Sequence, residues 1–354
     1  MLLVTFPPIE WSDVVSQYVE FLATFAAYGA LGFRWLVLRS RAARPEMVAA
    51  TEPSGRSMWD ASELRAATVG TLGALVLVGL TLMETTSRAA EKHLTFAGAL
   101  AGPRGTLVPL VLDAVLFLAL LLARTRVGGA WVIALLAGMA LALRNLLAGR
   151  LGPAATALHV VGGSLWLGTL FVMVLAGLPA AMRARPPTGG RGTLVLLLVS
   201  RFSPVALLSA ALLACSGVVM AWIHLPKLAD LWSTPYGVTL ILKLCVVASV
   251  LSLGAWNWRR MTPRLSSDDS AHALRRTATS ELMLAAVVLI VTAVLVTLPS
   301  PNETRARGAG EGAPPPRVGA PGAKPAGDSD EPGESDEARP SGKAPAGGKH
   351  PGGR

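Results

Sequence analysis

Charged residues are scarce in this sequence. Only 15% of its 354 residues are Asp, Glu, Lys or Arg, whereas a soluble globular domain carries about 25%. Hydrophobic residues make up 52% of the chain, and the mean hydropathy is +0.51. So few charges cannot cover the surface of a soluble protein of this length. The composition therefore predicts an all-α, polytopic membrane protein.

Cysteine is also rare, and both cysteines, Cys215 and Cys245, lie inside apolar stretches, which excludes a disulfide framework. Their helical phase places them about 180° and 200° away from the polar faces of their own helices. We therefore expect both thiols to face lipid or other helices. The sequence has no nucleotide-binding loop or ATPase motif, so it encodes no energy source for pumping, and we predict that the protein is not an enzyme.

The formal net charge of +10 could suggest a nucleic-acid partner. The basic residues lie in short loops between apolar stretches, however, and the positive-inside rule explains them better. We expect no nucleic-acid binding. The N-terminal residues contain no basic segment before an apolar one, so we expect no cleavable signal peptide.

Eight stretches are long enough to cross about 30 Å of hydrocarbon. They are residues 15–38, 65–83, 106–123, 129–148, 154–181, 202–224, 235–257 and 278–298. The loops on one side of the predicted bundle contain sixteen Lys and Arg residues, and those on the other side contain five. This bias predicts about eight transmembrane helices with both termini outside the cytoplasm.

The composition changes abruptly at residue 301. Residues 301–354 are rich in Gly, Pro, Ala and charged residues and contain almost no large apolar residue, so we predict that they form a disordered tail. Residues 1–150 are predicted to be an N-terminal four-helix membrane region. Residues 151–300 form a second four-helix region, which carries the candidate site.

Three neighbouring stretches of the second region each carry one polar face on an otherwise apolar helix. Because unsatisfied polar groups are costly in hydrocarbon, these faces should point toward one another. The residues that share the faces are His159, Gly163, Trp166, Leu170, Met173 and Gly177; Ser209, Leu213, Ser216, Gly217, Met220 and His224; and Tyr236, Thr239, Lys243, Val247, Gly254 and Asn257.

Imidazole and thioether groups on these faces suit copper, especially Cu(I). The predicted topology places His159 and His224 near the extracytoplasmic ends of adjacent helices, at similar depth. Met220 lies one turn below His224, and Met173 lies about 21 Å below His159 on the same face. We predict a copper site made of His159, His224 and Met220, with Met173 as a deeper relay.

Two other functions remain open at this point. Two facing histidines at equal depth would also serve as axial ligands of a b-type haem in an electron-transfer protein. The protein could instead be a non-catalytic partner in the assembly of a copper site. Asp113 and Arg144 are predicted to form a charge pair in the outer half of the bundle. Trp166 is as much a candidate for core packing as for a wall of the site.

Several motifs resemble the copper resistance protein D (CopD) family, over roughly residues 150–300. They run HVVGGSLWLGTL (159–170), RFSPVALLSAALLACSGVVMAW (201–222), STPYGVTLILKL (233–244) and NWRRMTPRL (257–265). The matching positions are His159, Trp166, Gly168, Arg201, Phe202, Ser203, Thr234, Tyr236, Gly237, Lys243, Asn257, Thr262, Pro263 and Glu281. Trp258 departs from the pattern, since the family often has arginine there.

The resemblance implies an eight-helix protein of the cytoplasmic (inner) membrane that handles copper, usually regarded as bringing it from the periplasm toward the cytoplasm. Tyr236, Lys243, Asn257 and Glu281 would then shape the path of the ion. Some members work with a periplasmic copper-carrier domain of the CopC type. No β-rich His/Met segment precedes the first helix or follows the last, so such a carrier is expected to be a separate protein.

Overall fold

The computed structural model describes residues 7–38, 54–102, 105–147, 151–184, 191–225, 227–261, 268–302 and 304–305. These residues form eight long helices and no strand. The helices, α1 to α8 in chain order, are Trp11–Leu38, Ser54–Glu91, Leu107–Arg124, Ala130–Leu146, Leu151–Arg183, Arg191–His224, Pro235–Met261 and Asp268–Thr297. Two short helices, Phe96–Ala101 and Asp230–Ser233, lie between them.

The helices confirm the prediction of an all-α polytopic membrane protein. Within the described residues, six of the eight are long and apolar enough to cross a membrane, and the apolar parts of the other two, Ala130–Arg144 and Leu282–Thr297, are shorter. Large apolar side chains cover the outside of the bundle. On α6 alone, Leu207, Leu208 and Trp222 are 76%, 74% and 83% exposed. In a membrane protein these surfaces face lipid.

Several helices extend beyond the predicted spans into what were expected to be loops. α6 begins at Arg191 rather than at residue 202, because the segment before Pro204 is itself apolar. Leu194, Val195 and Leu198 are almost completely buried there. α2 similarly begins at Ser54 rather than at residue 65. The predicted loops were therefore too long on the side that carries most of the arginines.

α5 and α1 form the centre of the bundle. In the most apolar part of α5, 72% of the residues are buried by other helices, and in α1 56%, against 11% in α6 and α7. The two central helices cross where Gly29 meets Gly168, and a Cβ at Gly168 would lie 2.6 Å from the carbonyl oxygen of Phe25. This contact brings the backbones together, as small residues do in membrane helix pairs.

Both central helices contain π-helical turns. Phe33–Leu38 ends α1, and Ser164–Gly168 and Met173–Gly177 interrupt α5. In α5 the amide of Thr169 donates to the carbonyl of Ser164, five residues earlier. π-Helical turns are rare and occur frequently at functional sites. The two in α5 lie between the positions of His159 and the end of the helix.

The first residues of the predicted disordered tail are ordered, which corrects the boundary at residue 301. The side chain of Asn302 donates to the carbonyl of Ile223, 3.2 Å away. Arg305 pairs with Asp230 at 2.7 Å. This hydrogen bond lowers the pKa of the Asp230 carboxyl, which lies outside the membrane-spanning segments. Residues 306–354 lie outside the described residues, so the rest of the predicted tail stays a prediction.

The eight helices belong to one compact unit, so packing does not separate residues 1–150 from 151–300. α1, from the first region, contacts both α5 and α8 of the second. The division into two membrane regions therefore stays a prediction about function.

Candidate metal pathway

The polar faces predicted on α5 and α6 contact each other. A Cβ at Gly162 would lie 3.2 Å from the carbonyl oxygen of Ser209, so the two helices approach closely at this level. One turn toward the outer end of α5, the Nδ1 atom of His159 lies 3.2 Å from the Oγ atom of Ser216. Its ring also packs on Gly217, where a Cβ would come within 3.3 Å of Cε1.

The Nδ1 atom of His159 faces a hydroxyl that also has acceptors on its own helix. The Oγ atom of Ser216 lies 2.8 Å from the carbonyl oxygen of Leu212 and 3.1 Å from that of Leu213. A serine hydroxyl can donate or accept, so either tautomer of the His159 ring satisfies this contact. In its neutral form the imidazole has one nitrogen lone pair, which a metal can use.

A backbone carbonyl fixes the tautomer of His224. Its Nδ1 atom lies 2.8 Å from the carbonyl oxygen of Met220, which can only accept. Its ring stacks on Tyr236 of α7, with centroids 5.9 Å apart and planes inclined by 16°. A histidine held by Nδ1–H···O=C with Nε2 open is the usual arrangement of a metal-binding imidazole.

The two histidines do not lie at matched depth, and the prediction of similar depth is wrong. His159 stands level with Ser216 and Gly217, seven to eight residues before His224, which is about 10–12 Å along the helix axis. The offset arises because His159 lies eight residues inside α5, whereas His224 is the last residue of α6. Met220 lies between the two levels.

This offset disfavours a haem between the histidines, since both axial ligands must reach one iron at one level. In the described part of the chain, no three His, Cys, Asp or Glu side chains converge as a metal-binding group. The potential metal donors instead occur one or two at a time along the helices. His224 and Met220 lie in the last turns of α6, and His159 lies deeper in the bundle.

Two buried hydroxyls lie on α5 between His159 and Met173. Ser164 and Thr169 are completely buried, and their side-chain oxygens have no hydrogen-bond partner among the described residues. Met173 is 3% exposed in the second π-helical turn, and Trp166 is buried in the core. The sequence analysis missed both hydroxyls, because their spacing of five residues fits a π-helical turn rather than an α-helical face.

α7 contributes Lys243, which lies on the polar face predicted for this helix and is half-buried. Both cysteines, Cys215 and Cys245, are free and exposed on the outside of the bundle, as predicted. The side chains of Asn257 and Glu281, which the family pattern includes, lie outside the described residues. Their predicted roles therefore stay predictions.

A cavity of about 980 Å³ lies at the end of the bundle where α1 and α5 begin. Glu20, Glu84, Asp113 and Arg144 line it. Asp113 is 94% buried and accepts a hydrogen bond from Thr81 at 2.8 Å. Arg144 is exposed to the same cavity and forms no direct ion pair with Asp113, so the predicted charge pair is absent from the described structure.

Comparisons with known proteins support the family resemblance. Residues 196–295 match the profile of the family described as Copper resistance protein D. A stretch of 146 residues, 41% of this chain, is 30% identical to the copper transport protein CutJ of Bacillus subtilis (strain 168) and covers 25% of that protein. The match thus spans a quarter of the length of this curated relative. No solved structure matches the chain.

The resemblance to the CopD family predicted from the sequence is thereby confirmed. The matched residues comprise nearly all of α6, the whole of α7 and most of α8. They include Met220, His224 and Lys243 but not His159. Arg201, which the family pattern also includes, lies over the ring of Trp59 at 5.1 Å and donates to the carbonyl of Val37, so in the described structure it ties α6 to α1 and α2.

Proposed function

We propose that this protein moves copper across the cytoplasmic membrane through a series of weak sites. The ion enters at His224 and Met220 at the outer end of α6, passes to His159, and continues along α5 toward Met173. The observation that carries the proposal is the succession of donors on the facing sides of α5 and α6, with His224 held by the Met220 carbonyl and His159 beside Ser216. Imidazole nitrogen at both levels and thioether sulfur together form a donor set suited to Cu(I).

Weak binding at each level suits transport rather than storage. Conduction requires sites that bind an ion well enough to admit it and loosely enough to release it. One or two donors at each level meet this requirement.

The outer cavity supports entry from the extracytoplasmic side. Three carboxylates, Glu20, Glu84 and Asp113, outnumber the single guanidinium of Arg144 in its lining, and residues of α5 next to His159 form part of the same wall. Clefts lined by one sign of charge raise the local concentration of counter-ions. A separate periplasmic carrier that delivers copper to this side is part of the proposal.

Copper accumulation by cells that carry single variants tests the proposal. We expect His159→Ala to abolish most accumulation, because it removes the donor on which the whole path depends. His224→Ala and Met220→Leu should each weaken it, because the outer level keeps its other donor. Met220→Leu preserves volume and removes only the sulfur, so it separates ligation from packing.

The matched controls are Cys215→Ser and Cys245→Ser, which change a potential copper ligand on the lipid-facing side of the same helices. Accumulation is normalised to the amount of each variant in the membrane, which removes any effect on folding. Loss of uptake in the cysteine variants with normal uptake in the histidine variants would show that copper follows another face of α6 and α7.

A further inference from the structure

The residues that follow α8 contact the end of α6 and the connection from α6 to α7, beside the proposed entry of the copper path. We call residues 298–302, 304 and 305 the strap. The strap lies beyond the stretch that matches the family profile, which ends at residue 295. Leu298 and Ser300 are 5% and 2% exposed, so the strap packs against the bundle. It contains none of the proposed copper ligands.

The first contact of the strap is with the last turn of α6. The side-chain amide of Asn302 donates to the carbonyl oxygen of Ile223, 3.2 Å away. The last carbonyls of a helix have no amide partner within the helix, and this hydrogen bond satisfies one of them. The next residue, His224, ends α6. The strap therefore holds the turn of α6 that carries the proposed outer copper ligand.

The second contact is an ion pair with the short helix Asp230–Ser233. The guanidinium of Arg305 lies 2.7 Å from one carboxylate oxygen of Asp230, and the other oxygen accepts from the amide of Lys227 at 3.2 Å. Asp230 is only 5% exposed. Because a buried carboxylate that loses its cationic partner is strongly destabilised, Arg305 keeps this turn closed.

Hydrogen bonds connect the turn at Asp230 to the start of α7. The backbone carbonyl of Asp230 accepts from the hydroxyl of Thr234 at 2.5 Å, and the oxygen of that hydroxyl accepts from the amide of Gly237 at 3.1 Å. A Cβ at Gly237 would collide with the same carbonyl oxygen, so α7 begins in direct contact with the turn. Tyr236 lies within this segment, and its ring stacks on His224. The position of the Tyr236 ring thus follows from that of the turn that the strap holds.

We propose that Arg305 is a positioning residue for the copper entry, because its ion pair holds the turn before α7 so that Tyr236 stays stacked on His224. The hydrogen bond between Nδ1 of His224 and the Met220 carbonyl fixes one edge of the imidazole but leaves its plane free to tilt. The stack on Tyr236, with planes inclined by 16°, fixes that plane. Contacts that orient a ligand in this way raise its affinity for a metal. This role rests on the proposed function, in which His224 is a copper ligand.

Chemical labelling of the histidines tests the contact without copper. Diethyl pyrocarbonate acylates accessible imidazoles of the full chain in detergent, and mass spectrometry of the peptides gives the rate at each histidine. We expect Arg305→Gln to raise the rate at the half-buried His224 about threefold or more, the effect of losing an ion pair with one buried partner. Arg305→Lys, which can still pair with Asp230, should restore the rate. His93 is exposed beyond α2 and is the internal control.

Copper uptake at increasing copper concentrations gives the second measurement. Arg305→Gln should raise the half-saturating concentration about threefold or more and leave the maximal rate unchanged, because only binding at the entry is weakened. Arg305→Lys should behave as the unaltered protein does. The matched control is Arg126→Gln, which removes an exposed arginine paired with Asp60 in the connection between α3 and α4. This variant should change neither the labelling nor the uptake.

The inferred role of Arg305 and the proposed function fail in different ways. Weakened uptake in His224→Ala, with unchanged labelling and unchanged half-saturation in Arg305→Gln, would overturn the role of Arg305 alone. Equal changes at His159 and His224 in Arg305→Gln would also overturn it, since they would show a general loosening of the bundle. Normal uptake in His224→Ala would overturn the proposed ligand and with it the positioning role, whatever the labelling shows.

Discussion

Asp113 shows how a single hydroxyl can hold a carboxylate inside a membrane protein. The carboxylate is 94% buried, and Thr81 on the neighbouring helix donates a hydrogen bond to it. Removal of one partner from such a pair leaves a buried charged acceptor without its donor, which costs about 1–3 kcal/mol or more. We therefore expect the position of Asp113 to depend on Thr81, its hydrogen-bond donor.

We expect Thr81→Val to lower the free energy of unfolding by about 1–3 kcal/mol, because it removes the donor at nearly constant volume. Asp113→Asn should cost less, since the amide oxygen can still accept from Thr81. Thermal unfolding in detergent measures both. The matched control is Thr68→Val on the same helix, where the hydroxyl bonds only to Leu64 of its own backbone.

Arg144→Gln separates this account from the predicted charge pair. If Asp113 relies on Thr81, the Arg144 variant should unfold like the unaltered protein. A large loss of stability in Arg144→Gln, with little change in Thr81→Val, would show that the arginine is the true partner of the carboxylate.

At the residue scale, the sequence predicted which faces of α5 and α6 meet but not the levels at which they meet. His159, Ser216 and Gly217 share the predicted contact, because polar residues at helical spacing must face the interior. The depth of His159 relative to His224 depends on where each helix begins and how the two cross. Neither quantity follows from periodicity. Thr81 was missed because a lone threonine in an apolar span is common.

At the scale of elements, the close approach of α1 and α5 fixes the position of α5, along which the proposed pathway runs. Gly29 and Gly168 allow contact between the two backbones. One π-helical turn of α5, Ser164–Gly168, contains the crossing point, and the other, Met173–Gly177, follows it. The buried hydroxyls of Ser164 and Thr169 lie in the same part of the helix. α5 is therefore the helix that holds buried polar groups at several depths.

A Cβ at Gly29 would collide with the backbone of Gly168, which cannot move aside as a flexible side chain can. We therefore expect Gly29→Ala to lower the free energy of unfolding by about 1–3 kcal/mol or more, as overpacking does. Gly79→Ala is the matched control, because a Cβ there would have nothing within 4 Å. That variant should be neutral or slightly stabilising, since alanine favours helix over glycine by about 1 kcal/mol.

Thermal unfolding in one detergent and at one protein concentration compares the two glycine variants. Equal stability of Gly29→Ala and Gly79→Ala would mean that the helices separate at the crossing without cost, and that the contact does not hold α5 in place.

The helix positions were predictable and their ends were not. Every predicted span coincides with one long helix, because hydrophobic length is a strong signal in membranes. The π-helical turns left no signal, since they arise from tertiary contacts rather than from composition. α6 begins at Arg191 rather than at the predicted residue 202, and Pro204 lies inside a continuous helix.

At the scale of the whole molecule, eight membrane crossings would place both termini on one side of the membrane. The entry level of the proposed copper path lies at the ends of α6 and α7 near residues 224 and 236, and the larger cavity lies at the same end. A smaller pocket lies at the other end, among the arginine-rich connections. Topology therefore decides whether copper enters from outside.

The distribution of basic residues predicts that both termini lie outside the cytoplasm, because sixteen of the loop Lys and Arg residues fall on the opposite side and five on this one. A reporter enzyme that is active only in the cytoplasm, fused after Gly353, should therefore be silent. The same reporter inserted in the connection between α3 and α4, near Gly128, should be active and serves as the control. Cytoplasmic activity of the Gly353 fusion would mean that one of the two shorter helices, α4 or α8, does not cross the membrane, and the direction of the proposed copper path would then have to be reassigned.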